Sequence, residues 1–183
     1  MESTFPYVIM IDDDMEFTPE QADMVLDAVR EGYEYVGGFY IMNDGGSTAK
    51  EVIDDKGKLI ECWGIGGGFS ATSREFLQKM IKEIPLPLLD FGTGYKLMHP
   101  FYENGLRNHD SSWQWIGEDY DFCNKVRHVG GKVYLHPEVQ LGHMKVARLH
   151  PSLTREKLVK KIGERGPRGQ PVSMQVDKFL MTE

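Results

Sequence analysis

Tyr7-Val8-Ile9-Met10-Ile11-Asp12-Asp13-Asp14 is a short apolar run that ends abruptly in three carboxylates. Consecutive apolar and β-branched residues bounded by charge predict a buried strand of an α/β sheet. Ligands of open α/β sheets bind just beyond the carboxyl ends of such strands. Aspartates crowded there repel one another unless a cation sits between them. An oxygen-rich, thiol-free set suits a hard divalent ion such as Mg²⁺ or Mn²⁺. The run therefore predicts a metal site at the working edge of a sheet.

Outward from that strand, turn and capping signals divide the chain. Thr18-Pro19-Glu20-Gln21 opens a helix with a capping box, and Ala22, Val25, Leu26 and Val29 recur at helical spacing up to Gly32. Tyr35 to Met42 predicts the next strand, and Asn43 to Ser47 a loop. Val52 to Ile60 predicts a hairpin turning at Asp54 to Gly57. The glycine patch Gly64 to Phe69 follows, then Thr72-Ser73-Arg74-Glu75 as a second capping box opening a helix to about Glu83. Pro85 to Trp115 is aromatic-rich and irregular, the pattern of a functional loop. Gly117-Glu118-Asp119 opens a third helix, stopped at Gly130-Gly131. Lys132 to Leu135 and Val139 to Leu141 predict two short strands, and Gly142-His143-Met144-Lys145 follows. From Lys145 the chain turns basic (Arg148, Arg155, Lys157, Lys160, Lys161, Arg165, Arg168). Residues 1–150 are thus expected as one α/β unit and 151–183 as a basic helical arm or tail.

The bulk composition fits one domain. The chain has 183 residues, 40% hydrophobic and 27% charged, enough for a single core. A formal net charge of -7 argues against nucleic-acid binding. Cys62 and Cys123 show neither metal-ligand spacing nor a disulfide framework, so they are expected as small buried hydrophobes in a reducing compartment. No stretch is apolar enough to span a bilayer, and the start lacks a signal-peptide pattern. A cytoplasmic protein is expected, with peripheral membrane association left open.

Four features stand in order: Asp12-Asp13-Asp14 after a strand, Gly64 to Phe69 before a capped helix, Gly117 to Cys123, and Gly142 to Lys145. Together, over roughly Tyr7 to Lys145, they resemble the catalytic half of a family-2-like GT-A glycosyltransferase, a family that moves a sugar from a nucleotide diphosphate to an acceptor. The resemblance implies a partial GT-A, Rossmann-like mixed sheet flanked by helices, with a basic C-terminal arm. It implies that Asp14 binds Mn²⁺ or Mg²⁺ directly, that Asp12 meets the nucleotide ribose or a metal-bound water, and that Asp13 takes part in the same site. His143 completes the metal set, and Lys145 holds the departing diphosphate. Asp119 is the candidate general base of an inverting transfer, with Glu118 beside it on acceptor or donor hydroxyls. The implied partners are a UDP- or GDP-linked sugar and a saccharide or other hydroxyl acceptor. The resemblance also implies that the βαβαβ portion preceding the Asp-x-Asp strand is absent from this chain. Such a chain is a fragment, is completed by a partner, or is a shortened relative, and it presents a sheet edge needing cover.

Two sets of residues carry readings from their own chemistry. Gly66, Gly67 and Gly68 have no side chains, so their backbone can approach a sugar or diphosphate, or pack tightly between sheet and helix. Trp113 and Trp115 offer flat faces to sugar rings, or belong to core or lid. Asp12 to Asp14 read alone as a solvated turn, Glu118-Asp119 as favourable charge at a helix start, and His143 as a structural histidine. Two functions compete with transfer. One is a non-catalytic carbohydrate- or nucleotide-binding module that retains the fold, motivated by the absent half. The other, a metal-dependent phosphohydrolase, rests on the acidic cluster alone.

Overall fold

The computed structural model describes residues 4–42, 45–84, 99–109, 112–144 and 153–163. Strand β1 (Tyr7–Ile11) is followed by the two-residue β2 (Met15–Glu16), helix α1 (Pro19–Arg30) and strand β3 (Tyr35–Phe39). Strands β4 (Lys50–Asp54), β5 (Ile60–Gly64) and β6 (Phe69–Ser73) lead into α2 (Arg74–Glu83). The hairpin β7 (Gly105–His109) and β8 (Ser112–Ile116) precedes α3 (Glu118–His128), β9 (Val133–Gln140), β10 (Gly142–His143) and α4 (Arg155–Gly163). Six strands form a mixed sheet in the order β1-β6-β3-β9-β5-β4. β3 and β9 run parallel; every other neighbouring pair is antiparallel. This is the α/β mixed sheet flanked by helices that the sequence predicts.

The sheet is buried on both faces. Along β3, Tyr35 and Phe39 enter one core with Phe76, Met80, Phe122, Cys123 and Val126, while Val36 and Tyr40 enter the other with Val25, Ala28 and Val29. Period-two alternation thus feeds α1 on one face and α2 and α3 on the opposite face. α1 begins as its sequence dictates. The Thr18 side chain accepts from the Gln21 N–H at 3.4 Å, and the Gln21 side chain accepts from the Thr18 N–H at 2.9 Å. Leu158 and Ile162 of α4 are fully buried in the core shared with α2 and α3, so the first helix of the basic segment is docked, each side chain stabilising by about 1.5–3 kcal/mol. Burial pushes the thiols of Cys62 and Cys123 up to about 12, which keeps both as inert core side chains.

Several elements differ from the sequence expectation. Phe69–Ser73 is a central strand rather than a lead-in to a helix; its small polar residues Ser70 and Thr72 are fully buried and lack the apolar signature of one. The α2 cap is Ser73, which accepts from the Phe76 N–H at 3.0 Å, because the Thr72 hydroxyl is engaged with the Glu34 carbonyl at 2.7 Å. The end of the aromatic segment is a β-hairpin. The two strands expected near Lys132 and Val139 are one strand, with Pro137 where the ladder to β3 changes register. Among the described strands β1 stands at the sheet edge, with Val8 and Ile11 exposed. Lys145, the early aromatic segment 85–98, Asn43, Asp44, Arg148, Arg165 and Arg168 lie outside the described residues. No described helix is long and apolar enough to cross a membrane.

Two buried groups set measurable stabilities. Asp121, only 3% exposed, pairs with Lys125 at 2.9 Å, and Lys125 also reaches Glu103 at 2.7 Å and the carbonyls of Pro100 and Phe101 at 3.1 Å. That one ammonium fastens the 99–104 segment to α3. Lys125→Met strands the Asp121 charge in the core and is expected to cost about 3–5 kcal/mol in urea unfolding. His136 is buried, and its Nδ1 has no hydrogen-bond partner among the described residues. Burial lowers its pKa from the ordinary value. The unfolded chain therefore binds its proton more readily, and stability falls as pH drops below about 6.5. His136→Leu is expected to flatten the loss of stability between about pH 7 and pH 5, read by denaturation at each pH.

Candidate functional site

The topology determines what meets what. β6 lies between β1 and β3 and runs antiparallel to both. The turn that enters β6 therefore arrives beside the residues that leave β1 and β3. Those residues are Gly66, Gly67 and Gly68 on one side, and Asp12 and Tyr40 on the other. β9 runs parallel to β3, so its continuation into β10 brings His143 to the same edge. α3 precedes β9 and packs on it, so its first turn, Glu118 and Asp119, lies at that edge too.

The contacts follow. The Asp12 N–H donates to the Gly68 carbonyl at 2.8 Å, and the Gly68 N–H donates to the Tyr40 hydroxyl at 3.0 Å. The Gly67 N–H donates to the Asp119 carboxylate. A Cβ on Gly67 would stand 2.5 Å from Asp119 Oδ1, and one on Gly68 would stand 2.7 Å from both Asp12 Oδ2 and the Tyr40 hydroxyl. Only glycine lets the backbone come this close. The close approach that these glycines permit is thus to protein side chains. Behind the turn, Tyr35 donates to Ser70 at 3.0 Å and Ser70 donates to the Gly67 carbonyl at 3.1 Å.

Beside this cluster, β2 pairs with β10 so that His143 lies opposite Met15, and the Met144 N–H donates to the Asp14 carbonyl at 2.7 Å. His143 Nε2 lies 3.4 Å from Asp14 Oδ2. His143 Nδ1 lies 2.9 Å from the Ile41 carbonyl oxygen. A carbonyl can only accept, so Nδ1 carries a proton toward Ile41, and Nε2 is the ring nitrogen that faces Asp14. Orientation of one ring nitrogen by a carbonyl, leaving the other for a ligand, is the usual arrangement around a metal-binding histidine. Tyr40 packs edge-on against the His143 ring at 5.2 Å, tying the histidine to the glycine turn.

The electrostatics favour a proton on Asp119 more than its sequence position suggests. Burial raises its pKa, the Gly67 N–H opposes this, and the charges of Glu118 and Asp12 add to the rise. Burial thus outweighs the helix start, which would lower it. Glu118 is exposed, and its N–H donates to Asn104 Oδ1 at 3.0 Å, pinning the base of the β7–β8 hairpin to α3. Asp12 and Asp13 are exposed. Trp113 and Trp115 share one face of β8 and are each 70% exposed, with Leu106 paired across from Trp115. They stand on the surface rather than in the core. Among the described residues no three His, Cys, Asp or Glu side chains converge closely enough to enclose an ion.

Tyr40, Tyr35 and Ser70 have no place in the sequence reading of the site. Tyr40 has one usable signal, a polar-tipped aromatic at the carboxyl end of a strand. Ser70 carries none, because its strand is itself hard to read.

Neither a family model nor a curated protein matches the chain. Among solved structures it is similar to A197 from STIV, with a TM-score of 0.47 and 18% identity over 82% of this chain and 68% of that one.

Asp119 gives a direct stability test. Its folded pKa is raised, so the folded state holds the proton more tightly than the unfolded chain. The protonated form's stability is fully present below about pH 3.9 and is lost as pH rises through the folded pKa. Asp119→Asn, which mimics the protonated carboxyl, is therefore expected to be more stable than the parent at pH 7. That advantage should vanish near pH 3 in parallel thermal melts.

Proposed function

We propose that the chain is the catalytic half of a metal-dependent glycosyltransferase. It would move a sugar from a UDP- or GDP-linked donor to a saccharide or other acceptor hydroxyl, with inversion. The observation that carries this is the convergence of segments remote in sequence. Asp12 and Asp119 meet on Gly67-Gly68, and Asp14 meets His143, with Tyr40 between the two groups. A solvated acidic turn or a plain helix cap has no reason to gather the others.

The donor set fits Mn²⁺ or Mg²⁺. Asp14 supplies a hard carboxylate oxygen, and His143 supplies an imidazole nitrogen already oriented by Ile41. When bound, the ion would neutralise charge on the diphosphate leaving group. Asp119 is the candidate base. Its raised pKa makes it a better proton acceptor than an ordinary aspartate, and Gly67 fixes its orientation. Asp12, Asp13 and Glu118 would face donor or acceptor hydroxyls, and Lys145 the diphosphate. Trp113 and Trp115 would offer an aromatic surface to the acceptor at a hairpin pinned beside Glu118.

A second reading, a binding module without turnover, draws support from the exposed edge of β1, where the nucleotide-binding portion of the resemblance would add its strands. Calorimetry with Mn²⁺ and UDP, then GDP, separates site from scaffold. Metal-dependent binding is expected in the parent chain and at least tenfold weaker in Asp14→Ala, on the scale of one lost charged ligand. Sugar transfer abolished by Asp119→Asn with nucleotide binding intact would support catalysis. Saccharide or nucleotide binding without transfer, unchanged in Asp119→Asn, would favour the module. No nucleotide binding under any metal condition would overturn both.

A further inference from the structure

We infer that the groove between the end of α1 and helix α2 is a binding site for a neutral saccharide. It lies at the opposite end of the strands from the acidic residues. It therefore goes beyond the proposed transfer site and does not depend on it.

The topology leaves a hollow there. β1 and β3 start, and β6 ends, at the side of the sheet away from Asp12, Tyr40 and Gly68. α1 packs on one face and α2 on the other, so their ends flank these strand ends. α1 stops at Arg30, and Gly32, at φ +105°, turns the chain toward β3. A Cβ on Gly32 would meet nothing within 4 Å, so the space beside the turn is open. The groove encloses about 560 Å³, the size of a small-molecule site. Val29 and Phe76, both buried, give it an apolar base. Tyr7 and Tyr33 line it as half-buried rings held in place. The Arg30 guanidinium lies 5.7 Å from the centre of the Tyr7 ring, and Tyr33 packs edge-on against Tyr134 at 4.8 Å. A fixed ring plane suits the C–H face of a pyranose.

The charges of the lining decide the ligand's own charge. The basic side chains are Arg30, Lys79 and Lys82, and the acidic ones are Glu34, Glu75 and Glu83. Two of the cations are already committed to the protein. Arg30 pairs with Asp27 at 2.6 Å; Lys79 donates to the Val129 carbonyl at 2.8 Å and lies 3.8 Å from Glu83. A phosphate would meet as many carboxylates as cations, and an amine would meet as many cations as carboxylates. Neither sign is favoured, so the fitting ligand is uncharged. It is not apolar either, because covering these groups without replacing their water is costly. Glu75, Lys79 and Glu83 follow one another at four-residue spacing along α2, placing an acceptor, a donor and an acceptor in a row. Gln78 beside them offers both. A sugar hydroxyl donates and accepts, so a neutral polyol can satisfy every member of the row.

The test is titration of the full chain, followed by NMR amide shifts and without metal or nucleotide. The neutral probes are cellotetraose, maltotetraose, mannotetraose and N-acetylated chitotetraose. The charged controls are tetragalacturonate and tetraglucosamine. At least one neutral probe is expected to bind, with shifts gathered at Gly32, Tyr33 and Glu75 to Lys82. Tyr33→Ala removes a ring face and should weaken that probe about tenfold; Gln78→Ala removes one hydrogen-bonding group and should weaken it about fivefold. Gln78 is exposed on α2, so its variant keeps the comparison alive if thermal melts show Tyr33→Ala unfolded. Four results overturn the inference: no neutral probe binds, a charged control binds more tightly, the shifts gather at the carboxylate edge, or binding is unchanged in the folded variants. Because no nucleotide is present, none of these results bears on the donor site, and failure of nucleotide binding leaves the groove untouched.

Discussion

Everything at the carboxylate edge depends on the absence of three side chains. At Gly66, Gly67 and Gly68 the backbone runs so close to Tyr40, Asp119 and Asp12 that a methyl group would collide with each. Closeness is what lets the turn's polar groups be used. The Gly67 and Gly68 N–H groups go to Asp119 and Tyr40, and the Gly67 and Gly68 carbonyls go to Ser70 and the Asp12 N–H. A buried turn must satisfy its backbone groups somewhere. Here it does so with the side chains that the site needs held. The glycine patch is thus better understood as a clamp on Asp12, Tyr40 and Asp119 than as a loop whose N–H groups at Gly67 and Gly68 wait for a phosphate.

The clamp holds charges that repel. Glu118 and Asp12 both push the Asp119 carboxyl toward its neutral form, and burial pushes it furthest. Folding works against this arrangement, and local strain of this kind gathers at functional sites. Two residues further along α3 a second carboxylate has a cation for a neighbour. Asp121 is buried, yet Lys125 sits 2.9 Å away and cancels it. Two aspartates two residues apart on one helix therefore have different neighbours. Asp121, with a cation beside it, anchors the fold, and Asp119 stands beside other carboxylates with its pKa raised. Their spacing puts them on different sides of the helix.

The sequence made much of this legible where signals were local. The apolar run closing in Asp12 was readable as a strand end, and Thr18 with Gln21 as a helix start. Glu118-Asp119 was readable as a helix N-terminus, because charge, capping and periodicity act within a few residues. What stayed hidden was non-local. β6 is built of Phe69 followed by Ser70, Ala71, Thr72 and Ser73, four small residues that fit between two strands but carry no periodic signature of their own. Its Ser70 and Thr72 hydroxyls are engaged by Tyr35 and Glu34, partners that no window of sequence reveals. Tyr40 is hidden for the same reason, since its role exists only once Gly68 and His143 have been brought to it. The hairpin carrying Trp113 and Trp115 was obscured by the long aromatic segment that leads into it.

The hidden strand also explains why the motifs fall in the order they do. In an all-parallel sheet, the turns entering strands lie at the edge opposite the residues leaving them. β6 runs antiparallel to both β1 and β3, which reverses that for the turn entering it, and that turn is the glycine run. The register is strict. Ile11 faces Phe69, so the next residue outward on each strand sets Asp12 against Gly68. A slip of one residue would turn Phe69 and Ala71 from the core they share with α1 to the other face, so apolar burial fixes the register. The carboxylate is therefore placed by hydrophobic packing several residues away. The geometry of the polar edge is set by the core, and the glycines only make room for it.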